Sequence, residues 1–538
     1  MIDRLLGLET EYAIRFSPAE GRRPSNARVF DAYAAAVESI VATRPGMRDR
    51  ELFLANGGAV HYETQLIAAD DGLVEGATPE CRGPSSALLY QRAQDALLID
   101  ATPLAQDILA RAGYPGELGL LKNCRDADGH WYGAQENYEL EVARGLGLAV
   151  WRAGLAALLP LIVAGVVLTW ALVIALLALG LAGLLAVGLI GLAIGARRRA
   201  VMYRWLLGPG QRVALKASVA LERVIWEPIV FVFLLLYRAV AFRRVRRAVV
   251  SFLVTRQVFT GAGTLEADRL ALSEKALAAR RLCRISMAQV LAIFDAGNFC
   301  KQLTALVELR WSRYRALFHR RQRFQLGLSD SNMAQGAEYL KLATTSLVLD
   351  LAEAGALDDL PAVARPIRAL HRVARSQDLG FALAVQREYL TRAQRFVRDH
   401  AQPSLEAHDI VERWRDTLDA LARDPDDLFG TVDWVTKRYL ISSAGGTAAE
   451  RKKIDLKYHE LGVGYFARLE RAGFTPVLVS ESEARAARHV PPLDSPARAR
   501  ARAMRELIHA AARVRMTWDH VRVGNRLNGR VIRLDDHR

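Results

Sequence analysis

The chain's 538 residues allow two or three domains with a sizeable core, which excludes a small binding module. Lys and Arg number 73 against 58 Asp and Glu, a formal net charge of +15. That positive charge gathers beside apolar sequence with no aromatic stacking motif, so nucleic-acid binding is not expected. Cys81, Cys124, Cys283 and Cys300 show no CxxC spacing and no His at a metal-ligand offset, which argues against a disulfide framework or zinc site and for a reducing, cytoplasmic setting of the soluble part.

The N-terminus opens directly into strand-like sequence, so no secretory signal is expected. In "GLETEY", Glu9 and Glu11 stand two residues apart, and on a strand that spacing points both carboxylates to one face. Next, "LFLANGGAVHYE", ending at Glu63, reads as strand, turn, strand. Further acids sit in strand-like settings, Glu75 and Glu80 in "VEGATPEC" and Glu136 in "YGAQENY". Carboxylates on neighbouring strands are how proteins hold Mg²⁺ against nucleotide phosphates, because this hard cation takes oxygen ligands. With no Walker loop and no GxGxxG, a bound nucleotide would lie on a carboxylate-lined sheet rather than in a phosphate-cradling turn.

Between Arg152 and Arg197 no residue is charged. About 20 apolar residues cross a bilayer, so the run predicts two transmembrane helices, about 153–173 and 177–196, turning near Gly180. "PIVFVFLLLY", Pro228 to Tyr237, is too short to span and predicts an amphipathic, interfacial helix over about 226–247. The basic runs at Arg197–Arg199 and Arg243–Arg247 read as cytoplasmic membrane flanks. If the residues on both sides of the insertion build one site, the number of crossings must be even, which a hairpin satisfies. Farther on, "EYLKLATTSLVLDLAEAG" reads as an amphipathic helix closed by Gly355, "VERWRDTLDALARD" as a helix, and "TPVLVS", Thr475 to Ser480, as a strand. For Arg256 in "VTRQ" and Asp295 in "FDAGN", structural salt bridges are the expected roles.

Motifs then recur in a recognisable order: "GLETEY", "NG" at Asn56, "ATPEC" at Ala77, "YGAQENY" at Tyr132, "FLVTRQVFTGAG" at Phe252, "LSDSNMAQGAEYLKLATTSLVL" at Leu328, "QREYL" at Gln386, "DWVTK" at Asp433, "IDLKYHEL" at Ile454 and "TWDHV" at Thr517. In these the chain resembles the Pup ligase and Pup deamidase (depupylase) family of proteasome accessory enzymes, everywhere except between Tyr138 and Ser251. The resemblance implies an α+β, glutamine-synthetase-like carboxylate-amine ligase fold, a curved antiparallel sheet with helices plus a smaller C-terminal domain. The transmembrane hairpin is inserted into it. The expected division is residues 1–145 and 251–400 for the catalytic domain, 146–250 for the membrane insertion, and 401–538 for a C-terminal domain completing the nucleotide site.

The resemblance further implies ATP and Mg²⁺ as cofactors. By it, Glu9 and Glu75 are Mg²⁺ ligands, with His61 at a family tyrosine that touches the metal. Thr78 stands at a position that contacts ATP, Trp518 at the tryptophan that packs near the nucleotide, and Glu63 at the catalytic aspartate. Three departures stand out: Glu63 is one methylene longer than Asp, Ala59 replaces an ATP-contacting Arg, and the interval from Glu63 to Glu75 is long. The implied activity is ATP- and Mg-dependent chemistry at the γ-carboxyl or γ-amide of a small modifier's C-terminal Glu or Gln. That is either isopeptide ligation to a target lysine or deamidation and depupylation, with the "SDSNM" and "YLKLATTSLVL" segments closer to the deamidase branch. The implied partners are a small Pup-like modifier, its lysine-bearing targets, the proteasome and the membrane. The expected location is a multi-pass membrane protein with a cytoplasmic catalytic domain. Competing readings are a small-molecule carboxylate-amine ligase and a membrane scaffold of the same fold without turnover.

Overall fold

The computed structural model describes residues 2–64, 72–125, 131–194, 201, 211–267, 269–287, 290–376, 379–400, 404–507, 513–524 and 529–534. The chain divides into two compact units: Met1–Glu139, Arg244–Leu282 and Phe324–Arg538 form the first, and Leu140–Arg243 with Cys283–Arg323 the second. Residues 401–538 thus lie in the first unit with the rest of its chain, and residues 283–323 belong to the second.

The first unit opens with β1 (Leu5–Pro18), α1 (Asn26–Ile40), β2 (Thr43–Pro45), β3 (Glu51–Leu54), β4 (Ala59–Glu63), β5 (Leu73–Ala77), β6 (Cys81–Arg82), α2 (Pro84–Arg111), β7 (Gly116–Leu121) and β8 (Gln135–Glu141). The strands lie in the order β8, β1, β5, β4, β3, β2, and β6 and β7 also pair with β1. The pairings of β1 and those from β2 to β5 are antiparallel, so the expected α+β class with an antiparallel sheet is what the chain adopts.

Along the middle of β1 burial alternates strictly, with even positions buried and odd ones partly open. The even side chains Tyr12, Ile14 and Phe16 join Val60, Tyr62 and Val74 in one core with Val29, Phe30, Tyr33 and Val37 of α1 and Leu97, Leu98 and Ala101 of α2. Sheet and helices come close because β5 carries Gly76: a Cβ there would sit 2.3 Å from the Gln94 amide, which donates to Tyr12 Oη at 2.8 Å. Tyr12 Oη in turn donates to Asp95 at 2.7 Å, and Lys122 Nζ meets the other Asp95 oxygen at 2.9 Å, so the polar atoms buried under β1 are satisfied.

The helix expected at "EYLKLATTSLVLDLAEAG" spans Gln335–Ala354 and ends on Gly355 at φ 83. It is buried on nearly all sides rather than amphipathic. "VERWRDTLDALARD" falls within helix Leu405–Arg423. "TPVLVS" is not a strand; the N–H groups of Leu478 and Val479 both donate to Gln335 Oε1, at 2.9 and 2.8 Å, so a side chain takes the place of a sheet partner.

In the second unit the apolar run does not turn at Gly180. One helix, α3 (Gly145–Ile194), continues through it, and a second, α4 (Gln211–Ala239), packs back antiparallel. A Cβ at Gly154 would touch Leu236 and one at Gly165 would touch Ile229, and Trp226 Nε1 donates to Thr169 Oγ1 at 3.0 Å. At ~1.5 Å rise per residue α3 is roughly 75 Å long, over twice the ~30 Å of a bilayer's hydrocarbon. Its first half packs within the unit, where Trp151 Nε1 donates to Leu317 O at 2.9 Å. Its second half exposes Leu177, Leu181, Leu185 and Leu189. The third helix expected over 226–247 is likewise divided: α4 ends at Ala239, Phe242 takes φ 51, and α5 (Arg243–Thr255) begins in the basic run. Arg244 there pairs with Asp358 and Arg246 is buried, so the run opens a core helix of the first unit.

The "DWVTK" and "IDLKYHEL" motifs meet in a buried ion cluster of the first unit. Asp455 accepts from Lys437 at 2.8 Å, Lys452 at 2.6 Å and Leu265 N at 3.0 Å. Burial alone would raise its pKa, but the two ammonium groups outweigh burial and hold it at about 2. A depressed folded-state pKa contributes stability present above the unfolded value near 4 and lost as pH falls toward 2. Asp455→Asn, which leaves Lys437 buried without its counter-charge, is expected to cost about 3 kcal/mol at neutral pH and to remove part of the acid-side decline, read from urea unfolding at several pH values.

Candidate active site

The odd-numbered side of β1 forms the other face of the sheet, and pairing register lines up its side chains across strands. Glu11 lies opposite Glu75, Glu75 opposite His61, and His61 opposite Glu51. The neighbouring row runs from Gln135 through Glu9, Ala77 and Ala59 to Phe53. Glu63 follows His61 at the same two-residue spacing on β4, which puts it on this face.

The centre of the face is a compact donor set. His61 Nε2 lies 3.1 Å from Glu75 Oε2 and 3.5 Å from Glu63 Oε2, and the three ligand atoms fall within 4.8 Å of one another. Burial opposes a charged His61, but Glu75 and Glu63 outweigh it and raise its pKa to about 10. Glu75 and His61 are nearly covered, whereas the Glu63 side chain is 41% exposed and reaches solvent. In number and spacing these donors fit a divalent cation. In kind they differ from an all-oxygen Mg²⁺ set, since one is an imidazole nitrogen.

Of the expected metal ligands, the structure brings Glu75 and His61 together and adds Glu63, the expected base. Glu9 stands one row away from that trio. Glu11, which shares a face with Glu9 but was given no role from the sequence, joins the row beside Glu75. Its Oε2 accepts from Gly133 N at 2.7 Å, and burial, then the charge of Glu75, raise its pKa to about 7 against the opposing charge of Lys275. Gly133 must be glycine here: its φ is +118°, and a Cβ would lie 2.5 Å from Cys124 Sγ and 3.2 Å from Lys275 Cε. Buried Lys275 is a second functional candidate, and nothing in "LSEKAL" marks it.

Two acids noted in the sequence are not part of this cluster. Glu136 lies opposite Leu8, on the core side of the sheet, where Arg256 grips it with a 3.1 Å bond and a second, shorter one. Glu80 follows Pro79 beyond the end of β5 and pairs with buried Arg500 at 3.1 Å. Arg256 and Asp295 have the structural roles expected of them, the latter with Arg284 at 3.3 Å inside the second unit.

Thr78 ties the end of β5 to β1: its N–H donates to Leu8 O at 2.9 Å and its Oγ1 accepts from Leu8 N at 3.0 Å. Trp518 sits in the turn between strands Val514–Met516 and His520–Val523, with its ring edge-on to Phe53 at 5.3 Å. Phe53 ends the Glu9 row, so Trp518 stands at that end of the face with 37% of its surface exposed. Arg500, missed in the Arg-rich "ARARARA", holds it there: the guanidinium is 4.6 Å from the Trp518 ring and donates to Trp518 O and Gly57 O. Ala59 is fully covered, packed in a cluster of Phe53, Met504, Val514, Met516 and Val521. An apolar plug therefore stands where the resemblance places an Arg.

A model of the Pup-ligase protein family matches residues 4–522. The Pup–protein ligase of Bifidobacterium dentium is 28% identical over 56% of this chain and 65% of its own length. The Pup deamidase/depupylase of Mycobacterium tuberculosis is 35% identical over 38% of this chain and 44% of its own. In these matches the chain spans about two thirds or less of the relatives' length. Two solved structures of the Pup ligase PafA share the fold. One, in complex with Pup, has a TM-score of 0.65 at 17% identity, covering 99% of this chain and 89% of that one; the other, in complex with ADP, scores 0.59 at 18%, covering 97% and 93%.

The buried acids make a pH prediction. An acid whose folded pKa is raised binds its proton more tightly when folded, so stability falls as pH rises from the ordinary carboxylate value through the folded one. For Glu11 that window runs from 4.5 to about 7, and Glu274, raised to about 7 chiefly by burial, shares it. In EDTA the wild type is expected to lose several kcal/mol between pH 5 and 7.5, and Glu11→Gln to lose roughly half as much, in urea unfolding at the two pH values.

Proposed function

The chain belongs to the Pup-ligase protein family, and on that premise we propose that it is an ATP-dependent enzyme acting at the γ-carboxyl or γ-amide of a small Pup-like modifier's C-terminal Glu or Gln, held at a membrane through its second unit. The observation that carries the reading is the row Glu11, Glu75, His61 with Glu63 beside it, on the open face of a family-type sheet. Trp518 at one end of that face offers a stacking surface for a base, and carboxylates at its centre suit a cation that neutralises phosphate. Glu63 is the member of the donor set that reaches solvent. In this reading it takes the proton from the attacking lysine amine in ligation, or from water in deamidation. ADP in a structural neighbour and Pup in another support ATP as cosubstrate and a Pup-like modifier as partner.

Membrane attachment is the second part of the proposal. It draws on the uncharged length of α3, the exposed leucines of its second half and the Arg197–Arg199 run beyond it. With α3 unbroken, the return crossing that keeps the flanks on one side falls to α4 rather than to 177–196. The catalytic unit is then cytoplasmic, and the proteasome is the consumer of tagged targets.

The apolar packing around Ala59 favours one alternative, a scaffold that binds nucleotide without turnover. A turnover assay in nanodiscs, with ATP, Mg²⁺ or Mn²⁺, and modifiers ending in Gln or Glu, separates the readings. The expected result is a mass change in the modifier or a lysine conjugate, lowered at least about 100-fold by Glu63→Ala. Its product assigns the ligase or deamidase branch, and ATP binding without any product would overturn the enzyme reading. For attachment, the full chain is expected in the membrane fraction through carbonate washing, and Lys at Leu177, Leu181 and Leu185 together are expected to release it.

A further inference from the structure

We infer that the cation site of this chain is built for a first-row transition-metal ion of the Mn²⁺ class, with His61 Nε2 as a direct ligand, rather than for Mg²⁺. The inference rests on reading the open face as the metal–nucleotide site. Three observations carry it.

The first is geometric. With bonds of about 2.1 Å to nitrogen or oxygen, neighbouring ligands of an octahedral ion stand about 3.0 Å apart. The 3.1 Å from His61 Nε2 to Glu75 Oε2 and the 3.5 Å to Glu63 Oε2 are close to such edges, so an ion that displaces the Nε2 proton finds three donors gathered around one position. The second is rigidity. His61 is a central residue of β4, locked in register between Glu75 of β5 and Glu51 of β3, and it is buried. Glu51 is turned away to accept from Arg48 N at 3.2 Å, so the carboxylates meeting the imidazole nitrogen are those of Glu75 and Glu63. The third is donor chemistry. Mg²⁺ takes oxygen ligands and keeps much of its water, whereas imidazole suits Fe²⁺, Co²⁺ and Zn²⁺, and Mn²⁺, at the low end of that affinity series, accepts carboxylates and an imidazole together.

The test uses the full chain in detergent with Mn²⁺ and a non-hydrolysable ATP analogue. Pulsed electron paramagnetic resonance of the bound Mn²⁺ is expected to show a ¹⁴N coupling that becomes ¹⁵N when the protein's histidines are ¹⁵N-labelled, a readout that needs no variant and no turnover. Displacing this Mn²⁺ is expected to require a large excess of Mg²⁺. His61→Tyr is expected to remove the histidine coupling and lower that excess, with the analogue still bound. Mn²⁺ bound without histidine coupling, or equal displacement by Mg²⁺ in wild type and His61→Tyr, overturns the inference and leaves the nucleotide-site reading standing. Failure of the wild type to bind either the analogue or Mn²⁺ overturns both.

Discussion

The antiparallel register of β1 with β5, and of β5 with β4, is the constraint on which the site depends. Period-two alternation gives each strand one apolar and one polar side. Only the pairing Glu11 to Glu75 to His61 turns three separate alternations into a single row. A slip of one residue on any of these strands would send its carboxylate or imidazole into the core and an apolar residue onto the open face. The core beneath therefore serves the site. Tyr12, buried between Glu11 and Ala13 and bonded to Asp95, Gln91 and Gln94 of α2, fixes which side of β1 faces out.

Much of this was legible in the sequence. The spacing in "GLETEY" implied a shared face for Glu9 and Glu11, and the motif order implied the fold that the family model and structural neighbours bear out. What remained illegible was non-local. Whether Glu136 belongs with the acids of β1 depends on the register between β8 and β1, which pairs it with Leu8 on the core side, and no local pattern carries that. Glu80 left the row because Pro79 ends the strand before it, a cue that was present. Lys275 and Arg500 gain meaning only from what folds against them. "TPVLVS" has strand-forming residues, but Gln335 from a distant helix satisfies its N–H groups.

The expected hairpin shows a different kind of miss. Gly180 lowers helix propensity by about 1 kcal/mol relative to Ala, which is too little to break a helix with long apolar runs on both sides. The helix instead runs on to Ile194, and α4 provides the returning leg. Small residues allow that leg to pack closely: Gly154 and Gly165 sit under Leu236 and Ile229, as side chains of any size would not permit. Apolar packing also fills the space at Ala59, where the cluster around Phe53 and Met516 occupies the end of the face nearest Trp518.

The most direct measurement is a crystal of the full chain soaked with Mn²⁺ and a non-hydrolysable ATP analogue, with anomalous scattering used to locate the ion. A peak is expected among His61, Glu63 and Glu75 with the base lying toward Trp518. A well-occupied ion elsewhere, such as beside Glu136 on the core side of the sheet, or an analogue bound away from this face, would contradict it.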